Sequence, residues 1–124
     1  MVSMKSSLIS IVDDDESVRE SVSSLVRSAG FGTRVFASAE EFLNSAHLRD
    51  TACLILDLRM PGMSGLELQR RLSDADYRIP VIFITAQRDE GDRTQALKAG
   101  AVDFLHKPFS EKALLKAVDA ALQR

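Results

Sequence analysis

Cysteine is almost missing from this sequence: Cys53 stands alone among 124 residues. No internal disulfide can form, and a cluster of thiolates around a metal is excluded. Its place inside the apolar run Cys53-Leu54-Ile55-Leu56 marks it as a small core residue, not a reactive thiol. Basic charge is not in excess either, since 16 Lys and Arg stand against 18 Asp and Glu for a net charge of -2. A surface that grips nucleic-acid phosphates needs the opposite balance, so this stretch is not expected to bind DNA itself. No apolar run approaches the length of a membrane span. The opening residues "MVSMKSSLISIVDDD" lack the apolar core and cleavage site of a signal peptide, so no membrane contact and a cytoplasmic location are expected. Repeats, low-complexity tracts and Pro/Gly-rich linkers are missing too. The two histidines, His47 and His106, have no acids at ligand spacing and are not expected to carry chemistry.

What is present suits one domain with one core over residues 1–124, with 45% hydrophobic and 27% charged residues. Short apolar runs recur at 8–12, 33–37, 52–57, 79–85 and 101–105, each followed by a polar or helical segment. Val18, Val22, Leu25, Val26 and Ala29 repeat at helical spacing up to Gly30. Ser38 and Ser64, each with Glu three residues on, have the capping-box pattern of a helix start. The polar segment from Gln87 to Lys98 ends at Gly100, and is expected to be the most exposed helix. Ser110 caps a last helix with Leu114, Leu115, Val118, Ala121 and Leu122 inward. Near-continuous apolar strands alternating with helices predict a parallel five-stranded sheet covered on both faces, a three-layer α/β sandwich. Ligands then bind beyond the carboxyl ends of the strands.

Those ends carry matching chemistry. The first strand runs into Asp13-Asp14-Asp15, the third ends in Asp57, the fourth in Thr85-Ala86, and the fifth is followed by Lys107-Pro108. Asp15 suits a helix N-cap. Carboxylates crowded together repel one another unless a cation neutralises them. Mg²⁺ fits best, because it takes one or two carboxylates and keeps waters that a phosphate can replace, so Asp13 and Asp14 read as metal holders. Asp57 then reads as a nucleophile toward phosphorus, with Lys107 as a point positive charge and Thr85 as a hydrogen-bond donor. Ala86 leaves room for the incoming group. Each residue alone is weak evidence, and their joint position carries the reading. The isomer of the Lys107-Pro108 bond stays open at this level.

The blocks "IVDDDESVR", "LDLRMPGMSGLEL", "VIFITA" and "GAVDFLHKPF" resemble the signature of the receiver domain of two-component response regulators, across about residues 7 to 123. The wording is most similar to regulators whose second domain is a LuxR-like helix-turn-helix module. The resemblance implies a flavodoxin-like (βα)5 fold, with Asp57 as phosphoacceptor. Asp13 and Asp14 would be the acidic pair, Asp14 the more direct Mg²⁺ ligand, and the main-chain carbonyl of Arg59 a further ligand. Thr85 and Lys107 would contact the phosphoryl group, and Phe104 would be an aromatic switch that turns inward behind Thr85. The implied donor is a sensor histidine kinase. The implied response is a changed face of helix 4, strand 5 and helix 5, where phosphorylated copies often pair. Any DNA contact would come through an output domain beyond residue 124. Arg59 and Gln87 flank the pocket, and a long cation at Arg59 can reach over an aspartyl phosphate. A phosphohydrolase with an aspartyl-phosphate intermediate is a competing reading. Its leaving-group acid would fall at Arg59, which cannot act as an acid at neutral pH. A receiver-like binding module that is never phosphorylated is a third, and it would lack a pocket residue. The preferred reading is a switch, not an enzyme.

Overall fold

The computed structural model describes residues 7–86 and 90–123. Five strands alternate with five helices along the chain. The first half runs β1 (Leu8–Val12), α1 (Glu16–Ser28), β2 (Gly32–Phe36), α2 (Ala39–Leu43) and β3 (Thr51–Asp57). The second runs α3 (Gly65–Asp74), β4 (Val81–Thr85), α4 (Glu90–Lys98), β5 (Asp103–His106) and α5 (Glu111–Leu122). Every pairing is parallel and the strand order is β2-β1-β3-β4-β5, the flavodoxin-like sheet that the alternation predicts.

Side chains alternate across a strand, so each apolar run feeds two cores. Leu54, Leu56, Val81 and Phe83 pack with Phe42 of α2, Leu68 of α3 and Ala96 of α4. Ile9, Ile11, Cys53, Ile55, Ile82 and Ile84 face the other way and pack with α1 and α5 through Val22, Val26, Leu114 and Val118. Two helices therefore cover one face and three the other. Cys53 is fully buried, and desolvation pushes its thiol up to about 12, so it stays protonated and inert.

Local signals place the helix starts. Asp15 accepts from the N–H of Ser17 at 2.9 Å, Ser38 from Glu41 at 3.1 Å, Ser64 from Glu67 at 3.2 Å and Ser110 from Ala113 at 3.0 Å. Caps of this kind contribute about 1 kcal/mol each. Two strand starts lie two residues later than the sequence expectation. β4 begins at Val81, not at 79, because Pro80 has no N–H for the ladder; its carbonyl still accepts from the Leu54 N–H at 2.9 Å. β5 begins at Asp103, not at 101, because the Ala101 N–H turns back to the carbonyl of Ala96 at 3.1 Å. Gly100 makes that reversal with φ of 101°. In α5, Ala117 lies in the core and Leu115 only partly so. α4 buries only Ala96 and leaves Leu97 39% exposed, in line with its polar composition. Gln87, at the expected start of that helix, lies outside the described residues. Among the described residues, no helix is long and apolar enough to cross a membrane.

Candidate functional site

The carboxyl ends of parallel strands share one edge, and here the register keeps them level. Val12 pairs with Leu56, Asp57 with Ile84, and Thr85 with His106. One carboxylate oxygen from each of Asp13, Asp14 and Asp57 lies within 4.8 Å of the others. Asp13 is fully buried, Asp57 is 5% exposed and Asp14 faces solvent. Thr85 is buried beside them at the end of β4.

Lys107 Nζ donates to Asp13 Oδ2 at 2.9 Å and stands 3.8 Å from Asp57 Oδ1. Its nearer partner is Asp13, whereas the sequence reading set it against Asp57. The Lys107-Pro108 bond is cis, and the Lys107 N–H donates to the Thr85 carbonyl at 2.7 Å. Asp13 is held on three sides. Lys107 takes one carboxylate oxygen, the Asp15 N–H donates to the other at 2.9 Å, and Arg19 Nη1 donates to its carbonyl at 2.8 Å.

Burial pushes the Asp57 carboxyl up from 3.8 to about 7, with the Asp13 charge adding to the rise. Lys107 opposes it, and a hydrogen bond with Asp14 and the Asp14 charge push further up. One ammonium is thus outweighed by desolvation and two acids. Three oxygen donors at one point, with one carboxyl whose charged form is disfavoured for want of positive charge, fit a hard divalent cation.

The guanidinium of Arg59 is ion-paired with Asp92 of α4, and the Asp92 side chain is only 16% exposed. Phe104 is 3% exposed, with its ring 6.3 Å from Phe83 and 5.6 Å from His106 in an edge contact. The ring expected to turn inward on phosphorylation already lies inward in this structure. His106 packs edge-on against it.

Four supporting residues escape sequence reasoning: Arg19, Glu40, Gly65 and Asp92. Glu40 Oε2 accepts from the Met63 N–H at 3.2 Å and so fixes the loop between β3 and α3. A Cβ on Gly65 would lie 2.4 Å from the Asp57 carbonyl oxygen and 3.1 Å from the Leu58 Cα. Both are backbone atoms and cannot yield locally. Gly65→Ala is expected to cost about 1–3 kcal/mol in urea unfolding and to disturb the loop after Asp57. Unchanged stability would mean that the loop relaxes freely.

Comparison with known proteins agrees with this geometry. Residues 9–119 match the model of the response regulator receiver domain. The chain is 50% identical over 122 residues to the response regulator protein TodT of Pseudomonas putida, covering 98% of this chain and 54% of that protein. It is 43% identical over 113 residues to the transcriptional regulatory protein FixJ of Rhizobium meliloti, covering 91% of this chain and 55% of that one. The chain thus spans about half the length of the curated relatives it matches. The crystal structure of FixJ-N superposes with a TM-score of 0.85 at 42% identity, over 94% of each chain. A BeF3-activated DrrB receiver domain gives 0.86 at 30% identity, over 96% of this chain and 99% of the other. With the sheet order, the acidic strand ends and these likenesses in agreement, the chain belongs to the response regulator receiver domain family.

Proposed function

We propose that Asp57 accepts a phosphoryl group from a sensor histidine kinase and that the change in charge alters the surface of the domain. The observation that supports this most is the convergence of Asp13, Asp14, Asp57 and Lys107 at one strand edge. An oxygen of the Asp57 carboxylate forms the bond to phosphorus while the bond from phosphorus to the donor imidazole breaks. The imidazole leaves with the electron pair and later takes a proton. Lys107, held 2.9 Å from Asp13, is placed to offer its ammonium to the transferring oxygens. Thr85 sits at the end of the neighbouring strand and is placed to donate its hydroxyl to one of them.

Mg²⁺ would be held by Asp13, Asp14 and Asp57 together with the main-chain carbonyl of Arg59. When bound, it supplies positive charge that offsets the three carboxylates and the incoming phosphoryl group. Beside Lys107, a cavity of about 510 Å³ lined by Val18, Val22, Leu25, Pro108 and Phe109 offers the donor kinase an apolar surface next to the acidic cluster. The domain so read is a switch, not an enzyme acting on a separate substrate. It assists its own phosphorylation and dephosphorylation in the cytoplasm, without a membrane partner. Thr85 and Phe104 are the proposed switch pair, and α4, β5 and α5 form the proposed face for phosphorylation-dependent pairing of two copies. Control of transcription would pass through a DNA-binding domain outside these 124 residues, in keeping with the relatives' being about twice as long.

Intact mass after incubation with acetyl phosphate, with and without Mg²⁺, tests the reading. A gain of one phosphoryl group that needs both Mg²⁺ and Asp57 is expected. A gain that persists in Asp57→Ala would remove the assignment.

A further inference from the structure

We infer that Arg19 is a positioning residue for the divalent cation: it holds the Asp13–Asp14 peptide in place, so that the Asp14 carboxylate is aimed at the acidic cluster ahead of metal binding. The inference rests on the reading of Asp13, Asp14 and Asp57 as the Mg²⁺ site. Asp14 is the exposed member of that cluster, at the junction of β1 and α1. The direction of its side chain is set by the two planar peptide groups that flank its Cα. The group before it carries the Asp13 carbonyl, which accepts from Arg19 Nη1 at 2.8 Å. The group after it carries the Asp15 N–H, which donates to Asp13 Oδ1 at 2.9 Å. With both planes held, the φ and ψ of Asp14 are fixed and its Cβ points one way.

Arg19 can do this because α1 leads back to its own entry. Asp15 caps the helix by accepting from the Ser17 N–H at 2.9 Å, and the Arg19 N–H donates to the Asp15 carbonyl at 3.0 Å. The Arg19 side chain therefore starts one turn into the helix, and helical side chains lean toward the N-terminus, here toward the acidic residues. Its bond joins a charged donor to a carbonyl in a partly buried place, where it is stronger than a bond between neutral groups. The other polar atoms of Asp13 are engaged as well. Its N–H donates to the Phe36 carbonyl at 3.1 Å, and Lys107 and the Asp15 N–H hold the carboxylate. Asp13 is thus a fixed point, and Arg19 carries that fixity across to Asp14. A guanidinium repels a divalent cation, so whatever Arg19 adds to metal binding comes from geometry and not from charge.

The test is the Mg²⁺ affinity of this chain by calorimetry, with no phosphoryl donor present, for the wild type, Arg19→Met, Arg19→Lys and Asp14→Ala. Urea transitions first show that each variant is folded; Arg19→Gln, neutral and two atoms shorter, replaces Arg19→Met if that variant does not fold. Arg19→Met is expected to bind Mg²⁺ about tenfold more weakly, the lower end for losing a group that orients a metal ligand. Loss of a nearby positive charge alone acts in the opposite direction and tightens binding. Arg19→Lys, which keeps a charged donor on a long stem, should recover part of the affinity. Hydrogen exchange of the Asp15 amide in metal-free buffer should quicken in Arg19→Met relative to that of Val26 in the same helix. An affinity in the neutral variant equal to or above that of the wild type, or no recovery in Arg19→Lys, would overturn the positioning role and leave Arg19 a structural residue of α1. A wild type that binds no Mg²⁺, or Asp14→Ala that binds it equally well, would bring down the metal-site reading and the inference with it.

Discussion

Asp57→Asn is expected to take up no phosphoryl group and yet to be more stable than the wild type in metal-free buffer above about pH 7. The first effect follows from chemistry, since an amide is not a nucleophile toward phosphorus. The second follows from linkage. The folded state raises the Asp57 carboxyl from 3.8 to about 7, so it binds a proton that the unfolded chain releases earlier. Stability from this residue is fully present below about pH 4, falls as pH rises through the interval, and stays low above about pH 7. Such an interval corresponds to a ceiling of about 4 kcal/mol. The carboxylate is 5% exposed but lies beside solvent-exposed Asp14, and screening there reduces the expected gain to about 1–2 kcal/mol. Melting curves of both proteins in EDTA should coincide more closely near pH 4.5 and separate by several degrees at pH 8. Mg²⁺ should narrow the gap at pH 8 by stabilising the wild type selectively. A gap that does not depend on pH would show that packing, not charge, separates them.

Lys107→Met is the second large effect, expected to cost about 3–4 kcal/mol without metal. Asp13 is fully buried, and the lysine ammonium is its only side-chain cation at 2.9 Å among the described residues. Removing that ammonium leaves a carboxylate inside the protein with only the Asp15 N–H on its other oxygen. Asp57 loses the one charge that opposes its neighbours, so its proton should be held more firmly still. Urea unfolding at pH 7.5 reads the loss, and added Mg²⁺ should recover a substantial part of it. A loss below about 1 kcal/mol would mean that Asp13 is hydrated where the structure shows it paired.

The fold was legible because its signals are local and repeated. Five apolar runs, four side-chain caps and Gly100 name their elements without tertiary knowledge. The strand-end acids were legible for a related reason: parallel topology turns position along the chain into position in space, so Asp13, Asp57, Thr85 and Lys107 had to share an edge. The start of β5 was not, because Ala101 is apolar in the sequence and only its return bond to Ala96 shows that it closes the helix. Arg19 and Glu40 were hidden because their partners are backbone groups, which carry no residue type to match. Gly65 was hidden because a close approach has no signature until the approaching atom is known. For Arg59 the sequence allowed a reach toward Asp57, and only the placement of α4 reveals its ion pair with Asp92.

Cys53 carries a practical consequence. Its thiol sits at full burial in a central strand and remains protonated at any ordinary pH. A disulfide reagent in the buffer therefore meets nothing until the whole sheet opens, and the rate of labelling becomes a clock for global unfolding built into the native chain. A cysteine added on α4 would be labelled at once against that silent background, so one molecule can report separately on the looseness of a single helix and on the integrity of the entire core.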